Sequence, residues 1–295
     1  MGRRRRHLPV LGAALVEGNS KLAATESITT VAGPSLAGLV IQFVSAPAAV
    51  AIDACSYLAS ALSLRSIRQP EPPPNPSQQR PIPALTEGMR FLWDHLIIRA
   101  FALSNATFML FFTALQAVLL VYYTGSLGLS AAIIGLTYSA GNIGALIGAF
   151  TARRIGSHFA TGPTIIGSSA PRALGLAAVP LTLVLPRGAT VIPTLILGLL
   201  LHAFGWSLWG VHQGTARQQL APDRVRGRMN GSFLFIVRGT TALGGFLGAG
   251  LAAAFGVRAT ITITTTGVLL GTVWLLIPSV AKLREPLEPT DTESS

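Results

Sequence analysis

The sequence contains few charged residues and a single cysteine. Charged side chains make up 11% of its 295 residues, whereas a soluble domain carries about 25%. This deficit excludes an ordinary water-facing surface. Lipid-facing helices explain it, because lipid replaces water as the solvent of the outer face. The single cysteine, Cys55, excludes an internal disulfide and a cysteine-based metal site.

Acidic residues are also scarce, with 11 Asp and Glu against 22 Lys and Arg, so the formal net charge is +11. The basic residues form short clusters between apolar runs, without the interleaved aromatics of a nucleic-acid-binding surface, and no nucleic-acid partner is expected. The chain has no phosphate-binding loop, no nucleophile elbow and no zinc-protease motif. These absences argue against an enzyme, and we predict no cofactor and no metal site.

Long apolar segments are what the sequence does contain. Half of its residues are hydrophobic and the mean hydropathy is +0.56. Because about 20 apolar residues cross the hydrocarbon core, we predict an all-α, polytopic bundle of about eight spans, the fifth interrupted by glycine and proline. The predicted spans are Thr25–Val44, Ala46–Leu64, Ala100–Tyr123, Ser130–Ala152, Gly162–Leu185, Thr190–His212, Ser232–Phe255 and Arg258–Val280.

Polar segments divide these spans into units. The long polar segment begins with a proline-rich, extended stretch and continues into an amphipathic helix at the membrane surface. The predicted units are a basic N-terminal stub 1–24, two helices 25–64, a cytoplasmic linker 65–99, a six-helix bundle 100–281 and a disordered tail 282–295.

The charge distribution predicts the orientation in a bacterial inner membrane. Most Lys and Arg fall on the side that holds both termini, the linker and the predicted loops 153–158 and 217–228, whereas the opposite loops contain only Arg187 and Arg258. Positive charge marks the cytoplasmic side, so both termini are predicted to be cytoplasmic. Tyr122 and Tyr123 end the third span and are predicted to be interfacial anchors.

Polar residues within spans are candidates for a substrate cavity. Asn105 and Gln116 are eleven residues apart, about three turns, and therefore share one face of the third span. With Asn142 on the fourth span, they could line a cavity or form interhelical hydrogen bonds. On the sixth span His202, Trp206 and Trp209 share one face, which lies towards either a cavity or the membrane interface.

Three charged residues are candidates for ion coupling. Asp53, inside the second span, could bind and release protons or could be held by a hydrogen bond from a neighbouring helix. Glu26 begins the first span, where the helix dipole alone would explain an acidic residue. Arg238 could pair with Asp53 or extend towards the cytoplasmic interface. Arg172 also lies within a span.

The first span contains Gly33, Pro34 and Gly38. Proline frees a backbone carbonyl and bends a helix, and glycine permits close helix contact. This segment is therefore either a tight packing kink or a hinge between two bundles.

Several segments carry a resemblance to a known family: Leu15–Leu22 leading into Gly33–Gly38, then Ala48–Leu58, the proline-rich linker, and Ala221–Arg228. Together they resemble major facilitator superfamily permeases, in particular the branch of enterobactin exporters and macrolide-efflux proteins. The resemblance extends from about residue 15 to residue 282.

The resemblance implies an efflux permease for drugs, siderophores or metabolites, coupled to protons by alternating access. Gly33, Pro34 and Gly38 resemble the antiporter motif of such exporters. Arg153 and Arg154 resemble part of the basic gating loop, although Ala152 stands where an acid is usual.

Such permeases typically have twelve spans, and this chain matches helices five to twelve. An N-terminal truncation or a mis-set start is therefore expected. The alternative is one component of a split transporter, in which a second copy or a partner would supply the missing helices. The expected partners are the bilayer, a small amphipathic substrate and protons. The alternative function is a non-transporting scaffold or partner subunit, or an inactive remnant.

Overall fold

The computed structural model describes residues 28–66, 81–186 and 188–283, and every regular element in these ranges is a helix. A π-helical turn, Tyr122–Ser126, extends α4. The all-α prediction is confirmed. The helices are α1 Ile28–Phe43, α2 Ala46–Arg65, α3 Pro81–Asp94, α4 Leu96–Val121, α5 Ala131–His158, α6 Thr161–Leu176, α7 Ala178–Leu181, α8 Val191–Leu220, α9 Asp223–Val273 and α10 Pro278–Ala281.

Five helices are long and apolar enough to cross a membrane, namely α2, α4 with its π turn, α5, α8 and α9, while α1 is a shorter apolar helix. Large apolar side chains cover their outer faces, including Phe150, which is 84% exposed, and Phe246, which is 79% exposed. Water is a poor solvent for such surfaces, and lipid is a good one. The chain is a multi-pass membrane protein.

Two predicted features of the spans have clear backbone causes. The predicted fifth span is divided into α6 and α7, and Pro171 lies inside α6. The predicted seventh and eighth spans are the two parts of α9, which is broken at Gly256, where φ is 79° and ψ is 165°. Essentially only glycine adopts this conformation, so Gly256 permits the turn between the two spans.

Two segments that the sequence predicts as loops are helical, so this part of the prediction is wrong. α5 continues through His158, and only Ala221 and Pro222 separate α8 from α9. Both helices, α5 and α8, continue beyond their apolar stretches because Arg and Gln are good helix formers in water. At the end of α5, the side chains of Ser157 and His158 also bond to the Arg154 carbonyl oxygen.

Glycines bring the helices of the six-span unit into backbone contact. α4 packs mainly against α9, and α8 packs against α5 and α6. A Cβ at Gly148 would lie 2.6 Å from the Phe204 carbonyl oxygen, and one at Gly244 would collide with that of Leu110. Both small-residue pairs in the sequence are contact sites of this kind: Gly144 with Gly148, and Gly244 with Gly248.

The helix predicted at the end of the linker is α3, and it packs on the start of α9. The Glu87 carboxylate pairs with the Arg228 guanidinium, and both side chains are partly buried. The Ser232 hydroxyl donates a hydrogen bond of 3.0 Å to the Leu85 carbonyl oxygen. In contrast, α2 has no buried residue.

Tyr122 and Tyr123 are core residues, so the prediction of interfacial anchors is wrong. Each is 2% exposed, and the Tyr122 hydroxyl lies 2.9 Å from the Thr182 hydroxyl. A buried tyrosine hydroxyl usually has such a polar partner, and the segment after α7 supplies it to Tyr122.

Candidate functional site

A cavity of about 380 Å³ lies where α1 meets α4, α5 and α8. Its wall is mostly apolar with a few polar side chains, which is typical of small-molecule sites. Its lining residues are Thr30, Phe112, Gln116, Leu119, Tyr138, Asn142, Ala145, Leu176, Val179, Leu199, His202, Ala203 and Trp206. The structure thus brings Gln116, Asn142, His202 and Trp206 together. Asn105 and Trp209 are buried but do not line the cavity.

A proline on α1 creates a hydrogen bond at the edge of this cavity. Asn142 Nδ2 donates to the Thr30 carbonyl oxygen at 2.9 Å. Pro34, four residues after Thr30, has no N–H and cannot make the usual helical bond to that carbonyl. Asn142 supplies a donor in its place. The backbone N–H of Ser35 also donates to Ser139 Oγ on α5 at 2.9 Å.

The predicted hinge residues differ in their surroundings. A Cβ at Gly38 would lie 3.1 Å from the Gly135 Cα, and a Cβ at Gly135 would collide with the Pro34 carbonyl oxygen. A Cβ at Gly33, in contrast, would meet no atom within 4 Å. Gly38 and Gly135 therefore set the close approach of α1 to α5, and Gly33 does not.

A stack of rings joins α4 to α8 beside the cavity. The ring centroids of Phe112 and His202 are 5.3 Å apart, and those of Phe108 and Trp206 are also 5.3 Å apart. Trp206 in turn stacks on Trp209 at 5.9 Å. The predicted face of α8 therefore packs against α4 as a continuous aromatic wall, and stacking and hydrogen bonding are the interactions that it offers to a bound molecule.

Arg172 is the feature of this site to which the sequence analysis gave no role. It is 1% exposed, and its guanidinium carbon lies 4.0 Å from the Phe108 ring centroid and 4.4 Å from that of Trp209. Its carbonyl oxygen lies 2.7 Å from His202 Nδ1. Because a carbonyl can only accept, Nδ1 carries the proton of this bond. The sequence signal for Arg172 is its charge in the middle of a predicted span, where ionisable residues are rare and usually functional.

Four other predicted residues are described by the structure and do not line the cavity. Asp53 and Arg238 are both exposed, and no ion pair joins them in the described part of the chain. Arg153 and Arg154 are exposed near the end of α5. Glu26 lies outside the described residues. The roles of these five residues in coupling or gating remain predictions.

Residues of the types that commonly bind metal ions are dispersed in the described part of the chain. Among the described residues, no three His, Cys, Asp or Glu side chains lie close enough to hold a metal ion. His202 and His212 are ten residues apart on α8, and their ring nitrogens bond to the carbonyl oxygens of Arg172 and Ala152, respectively.

Comparison with known proteins places the chain in a family. The profile of the family described as transmembrane secretion effector matches residues 21–294. The enterobactin exporter EntS of Citrobacter koseri is 27% identical over 271 residues, which cover 89% of this chain and 61% of that protein. EntS of Escherichia coli O127:H6 is 28% identical over 280 residues, which cover 92% of this chain and 63% of that protein. The chain thus spans less than two thirds of these relatives.

Solved structures show the same fold. A bacterial metal transporter has a TM-score of 0.65 and 18% identity, over 88% of this chain and 65% of that one. A bacterial homologue of the iron transporter ferroportin, in the inward-facing state, has the same TM-score and identity, over 92% of this chain and 64% of that one. With the helical bundle and the matched profile, these likenesses show that the chain belongs to the transmembrane secretion effector family of the major facilitator superfamily.

Proposed function

We propose that the chain acts in a secondary exporter that moves small amphipathic molecules across a bacterial inner membrane by alternating access. The observation that carries this proposal is the cavity of about 380 Å³ between α1 and the six-span unit. Its wall combines stacked rings with the side-chain amides of Gln116 and Asn142, which suits a molecule with both aromatic and polar parts. The relatives that are named as enterobactin exporters support the outward direction.

The contact between α1 and α5 is the proposed moving boundary. In alternating access, one helical unit rocks against the other around a central site. Gly38 and Gly135 let the two backbones meet without interlocking side chains at that point, so small displacements there meet little steric resistance. We assign the hinge to Gly33, Pro34 and Gly38, with Pro34 as the bend.

Protons are the proposed driving ion. Asp53, Glu26 and Arg238 are the candidates for coupling, because ionisable residues in or beside spans are costly unless they serve transport. Arg153 and Arg154 are the candidates for a cytoplasmic gate. Both termini are proposed to be cytoplasmic, and the division into two helices 25–64, linker 65–99 and bundle 100–281 remains our proposal for the domains.

The exposure of α2 favours a second candidate, a membrane subunit that assembles with other helices and does not itself transport. No residue of α2 is buried, and it contains Asp53, a charge that lipid would solvate poorly. A second copy or a partner could cover this helix in either candidate function.

Drug accumulation in efflux-deficient bacteria tests the proposal. The chain is compared with a version extended by any in-frame upstream coding sequence, at matched membrane expression and with a panel of fluorescent amphipathic dyes. Export should lower accumulation, and a protonophore should abolish the effect. Unchanged accumulation for both versions, despite normal membrane levels, would favour the non-transporting subunit.

A pair of variants on one helix links any export to the cavity. Ala145 lines the cavity, whereas Ala149, one turn later on α5, is exposed and does not line it. Ala145→Phe should fill the cavity and abolish export, and Ala149→Phe should leave it intact. Export that survives Ala145→Phe would place the pathway elsewhere.

A further inference from the structure

Arg172 is a buried charge without a hydrogen-bonding partner. None of its three guanidinium nitrogens bonds to another group in the described part of the protein. Its contacts are aromatic faces, with Phe108 and Trp209 on the guanidinium. Such cation–π contacts offset only part of the cost of removing a cation from water. A charge kept inside a membrane bundle at this cost points to a functional site.

The helices around Arg172 provide no carboxylate to neutralise it. Between Asp94 and Glu285 the sequence contains a single acidic residue, Asp223. That residue begins α9 and pairs with Arg226 at 2.6 Å. The helices that contact Arg172, which are α4, α6 and α8, contain no Asp or Glu. A negative charge for Arg172 must therefore come from outside these helices.

A donor on Trp209, which contacts Arg172, also lacks an acceptor, and so does a donor one turn further along α8. Trp209 Nε1 and Gln213 Nε2 are buried without a hydrogen-bonding partner in the described structure. The two residues are four apart on α8, so they lie on one face of that helix, and Trp209 is itself in contact with Arg172. One neutral donor on a ring in contact with the guanidinium, and a second on the same face of α8, form an environment that suits a negatively charged oxygen.

Arg172 lies directly behind the wall of the cavity. Trp206 lines the cavity, and its ring lies 5.7 Å from the guanidinium carbon. His202 lines it as well and is bonded to the Arg172 carbonyl oxygen. Leu176, one turn after Arg172 on α6, is also part of the lining. Trp206 is thus common to the cavity wall and to the surroundings of the arginine.

We propose that Arg172 binds the anionic group of the substrate, and that the cavity accepts aromatic molecules with a carboxylate or a comparable anion. The aromatic part stacks on the wall formed by Phe112, His202 and Trp206. The anion reaches the guanidinium once the Trp206 ring turns aside, and pairs with it through two parallel hydrogen bonds. This inference rests on the proposed function, since it names the substrate class of the same cavity.

Equilibrium binding to the chain in lipid nanodiscs tests the inference without requiring transport. The probes are radiolabelled 2-naphthoate and its neutral amide, 2-naphthamide, with binding to empty nanodiscs subtracted. The wild type should bind the anion about tenfold or more tightly than the amide, as expected for a charge-assisted pair. Arg172→Met should abolish the preference and Arg172→Lys should retain part of it. Arg224→Met, at an exposed position on α9, should leave it unchanged.

Thermal unfolding of the same samples separates binding from a structural role. Removal of an unpaired buried charge should leave the Tm of Arg172→Met unchanged or raise it. If that variant does not reach the membrane, Arg172→Gln, which has donors but no charge, replaces it. Loss of the preference at an unchanged or higher Tm supports the inference.

Three results would overturn it: equal affinity of the wild type for both probes, a preference that survives Arg172→Met, or binding of neither probe. The test also separates this inference from the proposed function. Anion-selective binding without export would count against the exporter alone, whereas export without anion preference would count against the role of Arg172 alone.

Discussion

Asn142 on α5 and Thr30 on α1 are joined by a hydrogen bond of 2.9 Å, from the amide Nδ2 to the carbonyl oxygen. Pro34 has no N–H to donate to that carbonyl, and the Asn142 amide donates to it. The proline motif and the Asn142 amide therefore act as one contact between two helices. This contact lies at the cavity, since both Thr30 and Asn142 line it.

A double-mutant cycle measures the dependence of this bond on the proline. Asn142→Ala should destabilise the protein by about 0.6–2 kcal/mol, the range for interhelical hydrogen bonds in membranes. In a Pro34→Ala background the loss should be smaller, because alanine restores the N–H that bonds to the Thr30 carbonyl. Reversible unfolding in mixed micelles gives the four stabilities. Equal losses in both backgrounds would show that the bond does not depend on Pro34.

The glycine contact between α1 and α5 predicts opposite effects of alanine at two positions of one helix. Gly38→Ala should lower both stability and export, because its Cβ would lie 2.5 Å from the Ala131 carbonyl oxygen. Gly33→Ala should be neutral or stabilise by up to about 1 kcal/mol, since the position is open and alanine is the better helix former. Stability and dye export are measured for both at equal expression. Similar effects at the two sites would contradict the observed packing.

Gly256 should tolerate no side chain, for conformational reasons alone. No atom lies within 4 Å of a Cβ built there, but its φ is 79° and its ψ is 165°. Gly256→Ala should therefore cost about 1–3 kcal/mol. Gly250→Ala, at an equally open position inside the helix, should stabilise by up to about 1 kcal/mol. Thermal unfolding compares the two, and a stable Gly256→Ala variant would show that the turn can adopt another backbone conformation.

His95 predicts a pH dependence of stability. Its Nδ1 accepts a hydrogen bond of 3.4 Å from the N–H of Ile98 at the start of α4, and only an unprotonated nitrogen can accept. Burial lowers the pKa of His95 below its ordinary value of 6.5. Because the pKa of His95 is lower in the folded state, its neutral form contributes to the free energy of unfolding. This contribution is present above pH 6.5 and is lost as the pH falls towards the folded-state pKa.

The control for this prediction is His95→Asn, since asparagine caps a helix without titrating. Between pH 7 and pH 5 the Tm of the wild type should fall more than that of the variant. Parallel Tm curves for the two proteins would mean that His95 makes no titrating contribution to stability.

The sequence by itself determined the class of protein and most of its helices. Low charge with long apolar runs permits only lipid as the solvent, and the length of each run sets the number of spans. The prolines and glycines of the fifth span likewise predicted its division into α6 and α7. The predicted loops after α5 and α8 were wrong, because the helices extend beyond their apolar stretches.

Only the tertiary structure decided which polar residues meet. Helical periodicity places Asn105 and Gln116 on one face, but it does not tell how far along that face the cavity extends, and only Gln116 lines it. The sequence also does not show that the Arg172 guanidinium lacks a hydrogen-bonding partner, because this depends on the side chains of every helix packed around it. Local sequence sets backbone conformation and the solvent of each face, whereas the pairing of side chains distant in sequence depends on how the helices pack.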